Sequence, residues 1–276
     1  MLCATRQPTA RCYTVSGTRP ALLVRSAGDQ LLQVDCPFML GGLKVAVIIP
    51  AYNEADRLGR LLPAIPGDFV DLVVVVNDAS TDATSEVARR HGAWVIDHSV
   101  RTGPGPAIRD ALHLLRSEGF DAVAVMAANG KHDPGQIADL VRPLVEEGLD
   151  LVRGSRFQAG GSQVNMPWHR LLLIHVFTLL TWLALGQRVT DATGGFQAYR
   201  LGILDDPEID LDQAWLGRYQ VETYLFVKTL LRGYRWREVP VRITYPDRGP
   251  YTRARTLVDW WGYFSPVVLL RVGMRR

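Results

Sequence analysis

The chain has 276 residues, 47% hydrophobic and 21% charged, which excludes an intrinsically disordered protein and leaves room for one large domain or two small ones at roughly 150 residues each. A chain of this size buries about three quarters of its unfolded surface, and its three cysteines (Cys3, Cys12, Cys36) all lie near the start, which argues against a disulfide framework or a Cys-ligated zinc and for a reducing compartment. The net charge of +3 is unevenly spread: from Arg232 onward ten arginines face only Glu238, Asp247 and Asp259, a balance that suits an anionic partner such as a phosphorylated substrate, an acidic lipid surface or nucleic acid.

Residues 1–38 show no helical or strand periodicity, carry four arginines and have no acidic residue before Asp29. They lack the apolar h-region of a secretory signal, so a disordered extension is expected, with Met39 a candidate translation start. Regular patterning begins after it. Residues 44–49 (KVAVII), 72–76 (LVVVV), 93–96 (AWVI) and 121–127 (DAVAVMA) read as buried parallel strands. Residues 53–62, 82–91, 104–117 and 134–147 between them read as helices, two with proline near the start. Alternating strands and helices predict an α/β domain over 39–250, a mostly parallel sheet covered on both faces. Residues 171–186 (LLLIHVFTLLTWLALG) suit a core helix or one lying along a membrane better than one crossing it. In residues 251–276, Trp260, Trp261, Tyr263 and Phe264 sit beside an apolar run ending in arginines, a basic and aromatic segment fit for a membrane interface.

Open α/β sheets bind ligands beyond the carboxyl ends of their strands. Four loops fall there: Pro50-Ala-Tyr-Asn-Glu54, 77–84 (NDASTDAT), 101–106 (RTGPGP) and 127–134 (AANGKHDP). None is a dinucleotide or Walker phosphate loop. The basic tail has no nucleic-acid recognition motif beside it, so nucleic acid is not an expected partner.

The segments VAVIIPAYNEADRL, VVVVNDASTDAT, MAANGKHDP, LVRGSRF, VTDATGGFQAYR and YRWREVPVRITYPDRG, in this order, resemble family-2 glycosyltransferases of the GT-A fold. Within them the chain is similar to the dolichyl-phosphate mannosyltransferase and polyprenyl-phosphate glycosyltransferase group. The resemblance covers about residues 43–250. It implies a nucleoside-diphosphate sugar as donor, with Pro50, Tyr52, Glu54, Asn77, Asp78, Ala128 and Asn129 around the nucleotide and sugar. Glu54 and Asp78 are the expected ribose or base ligands, since carboxylates accept hydrogen bonds at full charge.

One departure stands out. Similar proteins carry Asp-x-Asp followed by Gly-Gln-His-Asp-Pro, whose acidic residues hold Mg²⁺ or Mn²⁺ against the diphosphate. Here the positions are Ala127, Ala128, Asn129, Gly130 and Lys131, followed by His132, Asp133 and Pro134. Hard cations want carboxylate oxygens, so ordinary metal binding is in doubt, with Asn129 and Asp133 as weak candidate ligands. Lys131 is the expected substitute, an ammonium in place of the lost ion.

For the acceptor, Arg156 and Arg170 match arginines that hold the phosphate of a polyprenyl phosphate, for which a guanidinium fork is well shaped. A phosphate acceptor needs no general base. A hydroxyl acceptor would, and Asp191 is then the candidate. Gly194-Gly195 is expected to permit close backbone approach or positive φ. Glu222, on a helix predicted over 217–231, matches an acidic position facing the site in similar proteins. Residues 245–255 correspond to a mobile loop whose arginines close over the diphosphate.

The expectation is therefore a cytoplasmic glycosyltransferase, peripheral on an anionic membrane surface and acting on polyprenyl phosphate. The alternatives are a transferase for a soluble small-molecule or nucleoside acceptor, and a nucleotide-sugar-binding pseudoenzyme.

Overall fold

A computed structural model describes residues 12–13, 21–25 and 31–35 by their backbone, and residues 42–217, 220–245 and 257–274, with side chains from 261 in the last stretch. Two compact units divide the chain, Met1–Phe38 and Met39–Arg276. The first contains β1 (Cys12–Tyr13), β2 (Ala21–Arg25) and β3 (Leu31–Asp35), an antiparallel sheet in that order. No strand is expected here from periodicity. The stretches ALLVR and LLQVD are nevertheless of ordinary strand length and pair residue for residue, Ala21 with Asp35 through Arg25 with Leu31. The rest of residues 1–41 and residues 218–219, 246–256 and 275–276 lie outside the described residues.

The second unit is built on a seven-stranded sheet. Its first half follows the alternation read from the sequence: β4 (Val45–Ala51), α1 (Ala55–Leu61), β5 (Leu72–Asp78), α2 (Thr84–Arg90), β6 (Trp94–His98), α3 (Pro104–Ser117), β7 (Ala122–Val125) and α4 (Ile137–Glu146). Strands β7, β4, β5 and β6 lie side by side and parallel. Beyond β7 come β8 (Leu151–Ser155), β10 (Gln197–Arg200) and β11 (Trp236–Pro240), giving the order β11-β8-β10-β7-β4-β5-β6. Strand β10 runs antiparallel between β7 and β8, and β11 runs parallel to β8. A separate pair joins β9 (Ser162–Val164) to β12 (Arg242–Thr244).

Both faces of the sheet are covered, which is why its central strands read as unbroken apolar runs. Ala46 and Ile48 of β4 face a core shared with Ala107, Ile108, Ala111, Leu112 and Leu115 of α3. Val45, Val47 and Ile49 face the opposite core, with Leu58 of α1 and Ile137, Leu140, Val141 and Leu144 of α4. Those helical spacings, three and four residues apart, are the apolar stripe that a helix needs to lie on a sheet.

The last three helices are α5 (Trp168–Leu185), α6 (Gln220–Leu231) and α7 (Leu257–Arg271). Helix α5 buries Ile174, Phe177, Thr178 and Thr181 on one face, and it ends at Gly186, whose left-handed φ of 68° allows its N–H to reach the Trp182 carbonyl. The other face keeps Trp168, Leu172, Leu173, Val176, Leu179, Leu180, Trp182 and Leu183 exposed. Helix α7 sends Val267 and Leu270 into the core of the α3 face. Phe264 of α7 packs edge-on against Phe177 at 5.2 Å. The described part of 251–276 is thus continuous with the second unit.

Candidate active site

The loops after β4, β5, β6 and β7 open together onto a cavity of about 660 Å³. Two of them are stitched to each other. Asn53 N–H donates to Ser80 Oγ at 2.9 Å, Thr81 N–H donates to Asn53 Oδ1 at 2.8 Å, and Glu54 N–H donates to Thr84 Oγ1 at 3.0 Å. Asn53 and Ala79 both take positive φ, of 53° and 59°. For Ala79 that conformation is uncommon, and the cross-bonded loops hold it in place.

Pro50, Tyr52, Glu54, Asp78, Ala128, Asn129, Lys131, Arg156 and Arg170 line the cavity, so nine of the expected site residues meet there. Asn77, Asp133 and Asp191 are not among the lining residues. Asn77 spends its amide on the protein, donating from Nδ2 to Asp97 at 2.8 Å and accepting from Ser80 N–H at 3.0 Å. Asp133 caps the short turn at Pro134 by accepting from Gly135 N–H at 2.9 Å.

Asp191 differs most from expectation. It is fully buried behind Arg156, accepting from Nε at 2.6 Å and from Nη2 at 2.6 Å. Burial raises its pKa, but the Arg156 charge and hydrogen bonds outweigh burial and leave it lowered. A carboxylate so stabilised and so enclosed is a weak proton acceptor. Its visible work is to fix Arg156, which also donates to Thr193 Oγ1 at 2.6 Å and to the Tyr245 hydroxyl at 2.7 Å.

Asp78 has a similar balance in a more open place. Burial raises its pKa, yet N–H donors from Thr102 at 2.7 Å and Gly103 at 2.8 Å bring it below the usual range. The carboxylate thereby ties the loop after β6 to the end of β5 at the cavity. Arg101, at the start of that loop, lies over the Tyr52 ring at 4.1 Å.

The floor is cationic. Lys131 is half-buried, and burial together with the charges of Arg170, Arg156 and Arg57 pulls its pKa down to about 7, with Glu54 opposing. Glu54 itself pairs with Arg57, one helical turn on. His132 stacks on Phe196 at 4.7 Å and is held neutral, its pKa pushed down to about 3 by burial and by Lys131 and Arg156. Glu222 also lines the cavity, where burial pushes its carboxyl up to about 7 against the pull of Arg153.

The oxygen donors at positions 127–129 do not fit a hard divalent cation. Position 127 offers only a methyl group, and the one side-chain carbonyl beside it, Asn129 Oδ1, accepts from the Lys131 N–H at 3.2 Å. Among the described residues, no group of three or more His, Cys, Asp or Glu side chains is placed to hold a metal. An ammonium occupies the neighbourhood instead.

Gly194 and Gly195 line the cavity for reasons of space, and neither takes positive φ. A methyl on Gly194 would stand 2.7 Å from the Gly154 carbonyl oxygen, and one on Gly195 would stand 2.8 Å from Glu222 Oε1. Gly154 O belongs to the backbone of β8 and cannot yield. Gly194→Ala is therefore expected to lower stability by about 1–3 kcal/mol, read as a fall in the urea midpoint at unchanged slope, and a midpoint equal to wild type would show that the wall relaxes freely.

Sequence reasoning missed Arg57, Arg101 and Tyr245 as cavity residues. Arg57 had a signal, since a residue three positions after Glu54 shares its helix face. Arg101 sits in a loop already singled out. Tyr245 opens the 245–255 stretch expected near the diphosphate, but nothing local puts its ring in the cavity wall, because β12 reaches there through pairing with β9 and through the Thr244 N–H on the Lys131 carbonyl.

Residues 46–206 match the model of the family described as glycosyl transferase family 2. The chain is 34% identical over 215 residues to the undecaprenyl-phosphate mannosyltransferase of Micrococcus luteus, an alignment covering 75% of this chain and 85% of that one. It is 31% identical over 216 residues to the polyprenol monophosphomannose synthase of Mycolicibacterium smegmatis, covering 75% and 79%. Among solved structures, glucosyl-3-phosphoglycerate synthase from Mycobacterium tuberculosis, in complex with Mn²⁺, UDP and glucosyl-3-phosphoglycerate, aligns with a TM-score of 0.60 at 23% identity over 84% of this chain and 81% of that one. That likeness speaks to the fold alone. With its loops, sheet order and relatives in agreement, the chain belongs to glycosyl transferase family 2, as a GT-A glycosyltransferase of the prenyl-phosphate branch.

Proposed function

We propose that the protein transfers a sugar from a nucleoside-diphosphate sugar to a polyprenyl phosphate, as a cytoplasmic enzyme bound peripherally to a membrane, without a divalent ion. The observation that carries this reading is the double use of α5. Its first turn supplies Arg170 to the cavity, while Trp168, Leu172, Leu179 and Leu183 of the same helix stay exposed. An apolar helix face beside a cationic cavity suits a substrate with a lipid tail and a phosphate head. The names of the two relatives above support the same acceptor class.

In the reaction a phosphate oxygen of the acceptor attacks the anomeric carbon in line, the bond from that carbon to the diphosphate oxygen breaks, and the nucleoside diphosphate leaves with the electron pair. Inversion follows from the single displacement. A phosphate monoester, with a second pKa of about 6, is already anionic at neutral pH, so no general base is required. Lys131 is the group that meets the charge growing on the leaving diphosphate.

The test is transfer from radiolabelled UDP- and GDP-sugars to a prenyl phosphate in vesicles, with chelator present. Product formation supports the reading, and transfer only to water-soluble acceptors would overturn the acceptor assignment. Replacing both Leu179 and Leu183 with glutamate is expected to lower co-sedimentation with phosphatidylglycerol vesicles by about tenfold or more, because each leucine otherwise buries its side chain in lipid. Unaltered co-sedimentation of the double variant would exclude α5 as the contact.

A further inference from the structure

Three cations of the cavity share one aromatic residue. Lys131 Nζ lies 5.4 Å from the centre of the Tyr245 ring, Arg170 Cζ lies 5.9 Å from it, and Arg156 Nη1 donates to the Tyr245 hydroxyl at 2.7 Å. Tyr245 is only 2% exposed. Its position is set by the backbone: its N–H donates to the Val164 carbonyl at 2.9 Å, and the N–H of Thr244 donates to the Lys131 carbonyl at 3.0 Å. The ring and the lysine therefore hang from one hydrogen-bonded frame.

Like charges gathered this closely repel, and after burial, the larger cause, the Arg170 and Arg156 charges lower the Lys131 pKa further. Asp191 pairs with Arg156, and the Glu54 charge acts on Lys131. The negative face of an aromatic ring is what the cavity offers to Lys131 and Arg170 in common. We propose that Tyr245 is a positioning residue that gathers Lys131, Arg156 and Arg170 into one anion site for two adjacent phosphoryl groups, with the Lys131 side taking the leaving diphosphate and the Arg170 side the acceptor phosphate. The assignment of each side rests on the function proposed above, whereas the existence of a shared anion site does not.

The experiment measures affinity for inorganic pyrophosphate and inorganic phosphate by calorimetry with chelator present, using the full chain. Tyr245→Leu and Tyr245→Met are expected to weaken pyrophosphate by about tenfold, and Tyr245→Phe to recover most of that loss, because the ring rather than the hydroxyl faces Lys131 and Arg170. A merely structural tyrosine would show no such ordering at equal melting temperature. A cycle of Lys131→Met and Arg170→Met, with the ring intact, is expected to show coupling of about threefold or more in pyrophosphate affinity. Leucine or methionine variants that bind as tightly as wild type, strictly additive lysine and arginine effects, or a wild-type protein that binds neither anion would each overturn the proposal. Pyrophosphate binding without any affinity for UDP or GDP would leave the anion site standing and sink the nucleotide-sugar reading instead.

Discussion

Lys131→Met is expected to cut the turnover of sugar transfer by about 10²- to 10³-fold, the loss typical of removing one group aimed at developing charge. Wild-type turnover is expected to persist in chelator and to gain less than about twofold from added Mg²⁺ or Mn²⁺. The physical reason is substitution of one cation by another: where the resemblance implies paired carboxylates the chain has Ala127 and Asn129, while a lysine flanked by Arg57, Arg156 and Arg170 lines the same cavity. Full turnover of Lys131→Met, or abolition of wild-type activity by chelator, would refute the substitution.

A pH dependence accompanies it. The empty cavity holds Lys131 near pKa 7, and a bound diphosphate favours the ammonium and so raises that value. Binding then takes up a proton at pH above about 7, and affinity for a nucleoside diphosphate falls as pH rises from there toward the raised pKa. Glu222, whose carboxyl is also placed near 7, loses its proton over the same interval and adds negative charge to the wall, so both groups act in one direction. His132 stays neutral throughout. Calorimetry in buffers of different ionisation enthalpy reads the uptake directly, and the lysine's share of it should vanish in Lys131→Met.

The second large effect concerns Asp191→Ala. Removing one partner of a buried ion pair leaves the Arg156 guanidinium enclosed and uncompensated, a change that costs about 3–5 kcal/mol. For a domain of this size the melting temperature should fall by about 10 °C. Thermal unfolding checks it, and a fall of less than about 2 °C would show that Arg156 has another anchor. Asp191→Asn keeps the shape and separates two roles. A base at 191 predicts collapse of turnover with an altered acidic limb in the pH profile, whereas an anchor predicts lost stability and a raised KM for the acceptor.

Much of this protein was legible along the chain. Apolar runs such as KVAVII and LVVVV announced strands covered on both sides, because only a sheet between two helical layers buries every side chain of a strand. The Pro50–Glu54 and 127–134 loops could be placed at one sheet edge for the same reason, and the alanines and lysine of the latter could be read as a change of charge. Strands β8, β10 and β11 were harder. Their residues appear in recognisable motifs, but β10 finds its antiparallel place between β7 and β8 through pairing over long sequence separations, which no local period records.

Local composition determined the α/β layering, the lack of carboxylates at positions 127–129 and the apolar character of α5, since each depends on neighbours within a few residues. Tertiary structure decided which charges meet. It enclosed Asp191 behind Arg156, turned Asn77 toward Asp97, and brought Tyr245 under Lys131 and Arg170. Those outcomes depend on desolvation and on distances of a few ångströms between remote segments, and Coulomb interactions and burial act through space, whatever the order of residues along the chain.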